Sequence, residues 1–453
     1  MSFNSERRQD RNGAHEIGDI RSPYERDRDR ILYSSAFRRL DGVTQVAAVR
    51  EQHLLHNRLT HSLKVAQLGR RMAQRLLADD TGFHGGLQDD RASFPDVVES
   101  AGLAHDIGHP PFGHAVEKVL ADRMAAFGGF EGNAQSFRIV TKIAVHGGTK
   151  LGLDLTRATL NSILKYPQYM NKIKYKEAWH DRQYGNKWGV YRSEESDFEF
   201  ARDEGSARGR PDGRTRVAGA TLMDWADDIS YVVHDVHDYF RAGLIPLHGL
   251  EDYGDEFMKY VAESSANEND FSMALFNDAY REVVSLMPKK PWTEGSRVAR
   301  EELDKLVHTL IYRFVSAVNV DGSSLLHVGQ EEQYQAEVLK RLTFFHVIEQ
   351  PQLSLAQAGQ RRIVGELFDG LLGVVEKYGK SAKSRFPGPA LLKLVYDEIK
   401  KKRGDYDWDD GEAESRAVCD YICLLTEEQA VDMYERLTGR SVAQGSIFGA
   451  WFN

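Results

Sequence analysis

Three separated places in the sequence bring histidines together with carboxylates in arrangements that packing alone explains poorly. His61 lies in HNRLTHS, the adjacent pair His105-Asp106 lies in AGLAHDIGHPPFGH, and Asp227 lies in DWADDISY. Two imidazoles and two carboxylates form a mixed nitrogen and oxygen set. Such a set suits an octahedral first-row ion such as Mn²⁺, or else Mg²⁺, with positions left open for water. Taken alone, His61 reads as a hydrogen-bonded core histidine on an apolar helix. The His105-Asp106 pair is different, because a charge follows the apolar AGLA where burial is expected, and buried charges are paired or metal-bound.

Helical spacing groups further residues around these anchors, since positions three or four apart share a face. Arg58 stands three before His61 and places a cation beside it. Tyr231 and Asp235 follow Asp227 at four and eight residues, a stripe that suits a sugar-bearing anion and equally fits a partly buried polar ladder. After His105 come His109 and Pro110-Pro111, which break the helix, and His114 opens the next segment with Glu117 three residues on. That pair has the form of an oriented proton carrier. An exposed histidine at a helix start with an ordinary neighbour fits the spacing as well. His109 has the position of a brace behind a ligand.

Competing chemistries fail on spacing. Gly373 and Gly379-Lys380-Ser381 are separated by five residues where a phosphate-cradling loop needs four, and there is no HExxH, G-x-S-x-G or paired CxxC. The only cysteines, Cys419 and Cys423, sit four apart in an apolar run and read as two buried thiols of one helix.

The elements that must position these groups are helical. Apolar residues recur at helical spacing from Arg30 to about Leu77, over 97–107, 114–126 and 133–145, and again in 221–240, 303–318 and 361–379. Sustained period-two alternation is lacking, so the fold class expected is all-α. A polar excursion spans about 176–219, and a second polar stretch, roughly 401–414, precedes the cysteine-bearing helix. We expect an N-terminal arm over 1–30 at a subunit interface, a catalytic core over 31–330, and a C-terminal helical region over 331–453 packed on it. With 41% hydrophobic and 28% charged residues the chain is of ordinary globular type. A net charge of −9 argues against a protein that coats nucleic acid. The start lacks an apolar leader and no stretch is long enough to span a bilayer, which points to a cytoplasmic protein without a membrane partner.

The ordered series RSPYERDRDRILYSSAFRRLDGVTQV, HNRLTHS, AHDIGHPPFGHAVEKVL, FEGNAQSFRIV, LTRATLNSILKYP, MDWADDISYVVHDVHD and CDYICLLTEEQAVDMY resembles the HD-superfamily deoxyguanosinetriphosphate triphosphohydrolase-like enzymes. The resemblance implies an all-α HD fold with additional C-terminal helices, and hydrolysis of a dNTP to deoxynucleoside and inorganic triphosphate. It implies that His61, His105, Asp106 and Asp227 bind the metal and that His114 with Glu117 forms the catalytic pair. Arg58 and Tyr231 match phosphate contacts, and Gln45 and Asp235 match positions holding the sugar 3′-hydroxyl. Lys165 and Lys187 match distal phosphate-binding lysines, although residue types alone mark both as surface charges. It further implies a homo-oligomer, in parts of the family a hexamer, and single-stranded DNA or a nucleotide as allosteric partner. Two departures stand out. Gly132 occupies a position where some members carry histidine, and Asp228 one where a vertebrate branch carries lysine. Two other readings fit an HD-type site: hydrolysis of a different phosphate monoester or diester, and a binding module that uses nucleotide or DNA as a signal.

Overall fold

The computed structural model describes residues 5–8, 19–45, 56–80, 82–88, 90–147, 152–170, 187–202, 216–250, 254–266, 268, 270–320, 326–379, 386–406 and 410–439. Seventeen α-helices occur among them. The first half holds α1 (Pro23–Leu32), α2 (Ser35–Arg38), α3 (Arg58–Asp79), α4 (Phe94–Ala104), α5 (His114–Arg123), α6 (Gly132–Arg138), α7 (Arg157–Ile163), α8 (Glu195–Arg202) and α9 (Ala218–Arg241). The second half continues with α10 (Gly254–Ser264), α11 (Met273–Leu286), α12 (Arg297–Ser316), α13 (Gln330–Thr343), α14 (Pro351–Gly379), α15 (Ala390–Tyr406), α16 (Asp410–Ile422) and α17 (Glu427–Leu437). The fold is all-α. Its one sheet among the described residues is an antiparallel hairpin, Val318–Val320 with Leu326–Val328, which three-residue strands kept out of sight of any periodicity.

Local signals set the helix starts. Ser22 and Glu25 form a reciprocal capping box around Pro23 at the head of α1. The Asn57 side chain accepts from the Thr60 N–H at 2.9 Å and so starts α3 at Arg58, which puts Arg58 and His61 in its first turn. The long α9 buries one broad apolar face against α3, α4, α7 and α13.

Two hydrophobic cores result. The larger joins Tyr24 and Ile31 of α1, Val65 and Met72 of α3, Val98 and Ala101 of α4, Ile229 and Val233 of α9, and side chains of α11, α12 and α13. The second joins Val116, Leu120 and Met124 of α5 to Val364 and Phe368 of α14, Leu392 of α15, Ala417 and Cys419 of α16, and Met433 of α17. Helix α13 therefore packs with the first core, and within the C-terminal region the second core takes over from α14. Both cysteines are buried free thiols. A buried ion network fastens the two cores: Arg138 of α6 holds Glu194 at 2.6 Å and Asp420 of α16 at 2.7 Å.

Within the polar excursion, α8 returns to the core and buries Asp197 and Ala201, so this stretch is not wholly peripheral. The described part of the N-terminal arm also packs on its own chain, with Arg7 2.6 Å from the buried Asp27. No described helix is long and apolar enough to cross a membrane.

Candidate metal and hydrolytic site

Four backbone elements meet at the site: the start of α3, the turn after α4, the start of α5 and the middle of α9. Helix α4 ends at Ala104, so His105-Asp106 begins a tight turn whose shape depends on two glycines. At Gly108 a Cβ would lie 2.1 Å from the Ser136 backbone nitrogen, so only glycine lets α6 approach. Ser136 closes that contact from the other side, accepting from the Gly108 N–H at 2.9 Å and donating to the His105 carbonyl at 2.7 Å. Gly113 has φ 55°, and its missing Cβ leaves room for the Arg58 guanidinium 2.6 Å away.

His61, His105 and Asp227 converge with their ligand atoms within 4.8 Å of one another. His61 Nε2 lies 3.0 Å and His105 Nε2 3.6 Å from Asp227 Oδ1. The His105 ring is oriented from behind, its Nδ1 bonded to the Gly102 carbonyl at 2.7 Å. That leaves Nε2 as the lone-pair nitrogen, buried and without a hydrogen-bond partner among the described residues. An orphaned imidazole nitrogen facing carboxylate oxygens is the arrangement a divalent cation satisfies, and the donor set fits a hard or borderline ion. Asp106 stands at the edge of this trio. Its Oδ1 is 3.4 Å from His105 Nε2 and 3.1 Å from His109 Nδ1, while Oδ2 accepts from Arg58 at 2.6 Å.

Burial works to raise the Asp106 carboxyl, but His105, His109, Arg58 and His61 outweigh it and hold the group well below the carboxylate range. For Asp227 burial is likewise overcome, first by Lys165 and then by the two histidines. Both carboxylates are anionic. Burial, with Arg58 nearby, pushes His109 down to about 3, so this ring is neutral; it lies 3.1 Å from Asp106 through Nδ1 and 3.3 Å from Glu117 through Nε2, and its one N–H serves only one of them.

His114 opens α5 and is exposed, and its Nδ1 is 2.7 Å from Glu117 Oε1. Burial raises the Glu117 carboxyl less than His114, His109 and Lys187 lower it, so it stays ionised. The Gly132 α-carbon faces this pair: a Cβ there would lie 3.1 Å from His109 Nε2 and 3.3 Å from Glu117 Oε1. Gly132 is therefore a wall of the site.

The two lysines are placed unlike each other. Lys165, which residue type alone marks as a surface charge, is largely enclosed, 2.8 Å from Asp227 Oδ2 and 2.7 Å from Asp224 Oδ1. Burial lowers its proton affinity, yet the two carboxylates raise it well above the usual lysine value. Lys187 is the more open, 3.2 Å from Glu131 and 3.8 Å from Glu117, beside the His114–Glu117 pair.

On α9, Tyr231 follows Asp227 half-buried, and burial, with Asp235 beside it, raises its hydroxyl pKa. Asp235 is buried, and burial with the adjacent Asp238 raises its carboxyl well above the usual range, against Lys64. One oxygen of Asp235 and the amide oxygen of Gln45 are buried without a hydrogen-bond partner among the described residues. Thr44, next to Gln45, pairs with Asn57 at the head of α3.

Sequence reasoning missed four contributors. Asp224 lies one helical turn before Asp227, a readable i−3 spacing. Arg216 donates to the Lys165 carbonyl at 2.7 Å and also bonds Asp224. Glu131 caps α6 while meeting Lys187, and Arg39 donates to the carbonyls of Ile107 and His109 at 2.9 and 2.7 Å. Only the first carried a local signal.

The helical fold and its H…HD…D cluster define the class of an HD-domain phosphohydrolase. Residues 58–230 match the HD domain and residues 326–436 the phosphohydrolase-associated domain. The chain is 32% identical to a deoxyguanosinetriphosphate triphosphohydrolase-like protein of Streptomyces coelicolor, over 92% of this chain and 93% of that one. Like-named proteins of Corynebacterium diphtheriae and Corynebacterium efficiens are 33% and 31% identical over 95% and 94% of this chain, and 94% of each of theirs. The chain belongs to the HD-domain deoxyguanosinetriphosphate triphosphohydrolase-like family.

Proposed function

We propose that the protein hydrolyses a deoxynucleoside triphosphate to a deoxynucleoside and intact inorganic triphosphate, with Mn²⁺ or Mg²⁺ held by His61, His105, Asp106 and Asp227. The observation that carries this reading is the nearness of the ligand set to the proton carrier: His109 stands 3.1 Å from Asp106 and 3.3 Å from Glu117, and Glu117 holds His114 at 2.7 Å. The metal supplies Lewis acidity and charge neutralisation at the phosphoryl oxygens. Water adds its oxygen to the α-phosphorus, and the bond from that phosphorus to the 5′-oxygen breaks. One proton leaves the water and one reaches the 5′-oxygen. His114, its Nδ1 occupied by Glu117, offers Nε2 for this exchange.

Arg58 and Lys187 supply positive charge for the phosphates, Arg58 being anchored by Asp106. Lys165 balances Asp227 and Asp224, a role nearer the metal than the polyphosphate tail. The buried unpartnered oxygens of Gln45 and Asp235 support a sugar hydroxyl subsite. Asp235, whose carboxyl burial raises well above the usual range, offers a hydrogen-bonding partner to such a hydroxyl, and the Gln45 amide oxygen accepts from one. Tyr231 lies between Asp227 and Asp235 on the same helix and lines the path joining phosphate and sugar.

The test is incubation of the metal-loaded protein with each of the four dNTPs and with GTP, products being resolved by anion exchange. The expected products are deoxynucleoside and triphosphate in equal amounts, with GTP a poor substrate. Release of diphosphate, or of phosphate one unit at a time, would sink the proposal.

A further inference from the structure

Apart from the hydrolytic site, a cavity of about 610 Å³ opens between α2, its following 3₁₀ turn and the end of α6 on one side and α15, α16 and the start of α17 on the other. This volume is in the range of small-molecule sites. Its wall is mainly apolar, and Val145, Leu391 and Leu394 stand exposed at its rim. The charged groups within it are unbalanced. Arg138 is matched by Asp420 and Glu194, Lys142 is 2.5 Å from Asp197, and Glu398 bonds the exposed Lys401. Among the described residues no ion pair includes Arg38 or Arg39, and the carboxylate felt by Arg39, Asp106, is one already paired with Arg58.

Arg39 is the telling group. It is 7% exposed, and its only hydrogen bonds among the described residues are to the carbonyls of Leu425, Ile107 and His109, with Nε left unpartnered. Buried guanidinium groups are normally paired with an anion. Burial already pulls this one down to about 10.

We propose that this cavity is a second ligand site, for an organic anion with an apolar body, whose charged end meets Arg38 and Arg39. Arg39 couples it to the hydrolytic centre, because the same guanidinium holds both carbonyls of the turn carrying Asp106 and His109. An anion at Nε adds a bond without removing those two, so occupancy stiffens residues 107–114. Nothing in this proposal depends on which phosphate ester the hydrolytic site accepts.

The test uses the full chain and 8-anilinonaphthalene-1-sulfonate as the probe, followed by its fluorescence. Binding at one site per chain is expected, displaced by decanoate and not by dGTP or inorganic phosphate. Arg38→Glu and Leu394→Asp, both exposed and so without cost to the fold, should each weaken binding about tenfold, the equivalent of one good contact. Hydrogen exchange of the amides in 107–114 should slow on saturation with decanoate. Unchanged binding in both variants, or displacement by dGTP or by phosphate alone, overturns the site. A smaller assembly for Leu394→Asp in sedimentation also overturns it, in favour of a second copy covering the rim. Unchanged exchange overturns the coupling.

Discussion

Replacing Lys165 by methionine separates two roles for one residue. The ammonium sits 2.8 Å from Asp227 and 2.7 Å from Asp224, and all three groups are largely enclosed. Asp224 retains Arg216 after the change, so the orphaned charge falls on Asp227, whose remaining partners are His61 and His105. Removing one partner of a buried pair costs about 3–5 kcal/mol, and the surviving imidazoles place this case near 3. A divalent ion delivers positive charge to the same carboxylate, so metal-saturated Lys165→Met should recover most of that loss. By linkage its metal affinity should rise; a gain of about 2.7 kcal/mol would be a hundredfold. The assay is thermal unfolding of chelated and Mn²⁺-saturated protein side by side, with the metal titrated calorimetrically. Equal destabilisation with and without metal would refute the reasoning. So would an unaltered melting temperature with a raised KM for the nucleotide, which is the outcome for a lysine that serves the polyphosphate tail.

Glu117→Gln keeps an acceptor for His114 but loses the charge, so kcat should fall by about 100-fold or more while Mn²⁺ affinity is unchanged; a parallel loss of metal would place Glu117 among the ligands instead. Gly108→Ala forces a methyl into the backbone of α6, and a cost of about 3 kcal/mol should show as a lower melting temperature; an unchanged melt would disprove the close approach. Burial raises the Asp238 carboxyl, but hydrogen bonds with His237 and His56 bring it from 3.8 down to about 2. A folded-state pKa below the unfolded one stabilises above about pH 4, and that contribution, roughly 2 kcal/mol, is lost as pH falls from 4 to 2. Asp238→Asn should therefore be less stable than the parent at pH 7 and converge with it near pH 2; a constant gap across that range would contradict the assignment.

The legible parts of this molecule were those written within one helix or one turn. The spacing of Asp227, Tyr231 and Asp235 and that of His114 and Glu117 follows from the helical repeat, and α9 and α5 place them as read. The gathering of His61, His105 and Asp227 was legible because separate short motifs each offered a charge where burial was due. What escaped was contact across helices. Nothing near residue 165 announces that its ammonium will meet Asp224 and Asp227 some sixty positions on, and Arg39 in FRRLDG gives no hint that it reaches the turn after His105. Residues 46–55, 171–186 and 203–215, the second mostly and the third wholly within the polar excursion, lie outside the described residues.

The assignment of α5 to the second hydrophobic core divides the labour of the site. His61 lies on a helix of the first core and His105 just past the end of another, whereas the helix presenting His114 and Glu117 packs against α14 in the second. On the proposed mechanism the molecule is in effect a pair of jaws, one carrying the ligand donors and the other the proton relay, with Arg138 between Glu194 and Asp420 as the pin. Damage to the C-terminal helices should then produce a protein that still takes up its ion but has lost its bite. Such a separation of binding from turnover would reach well beyond the dozen side chains that line the cleft.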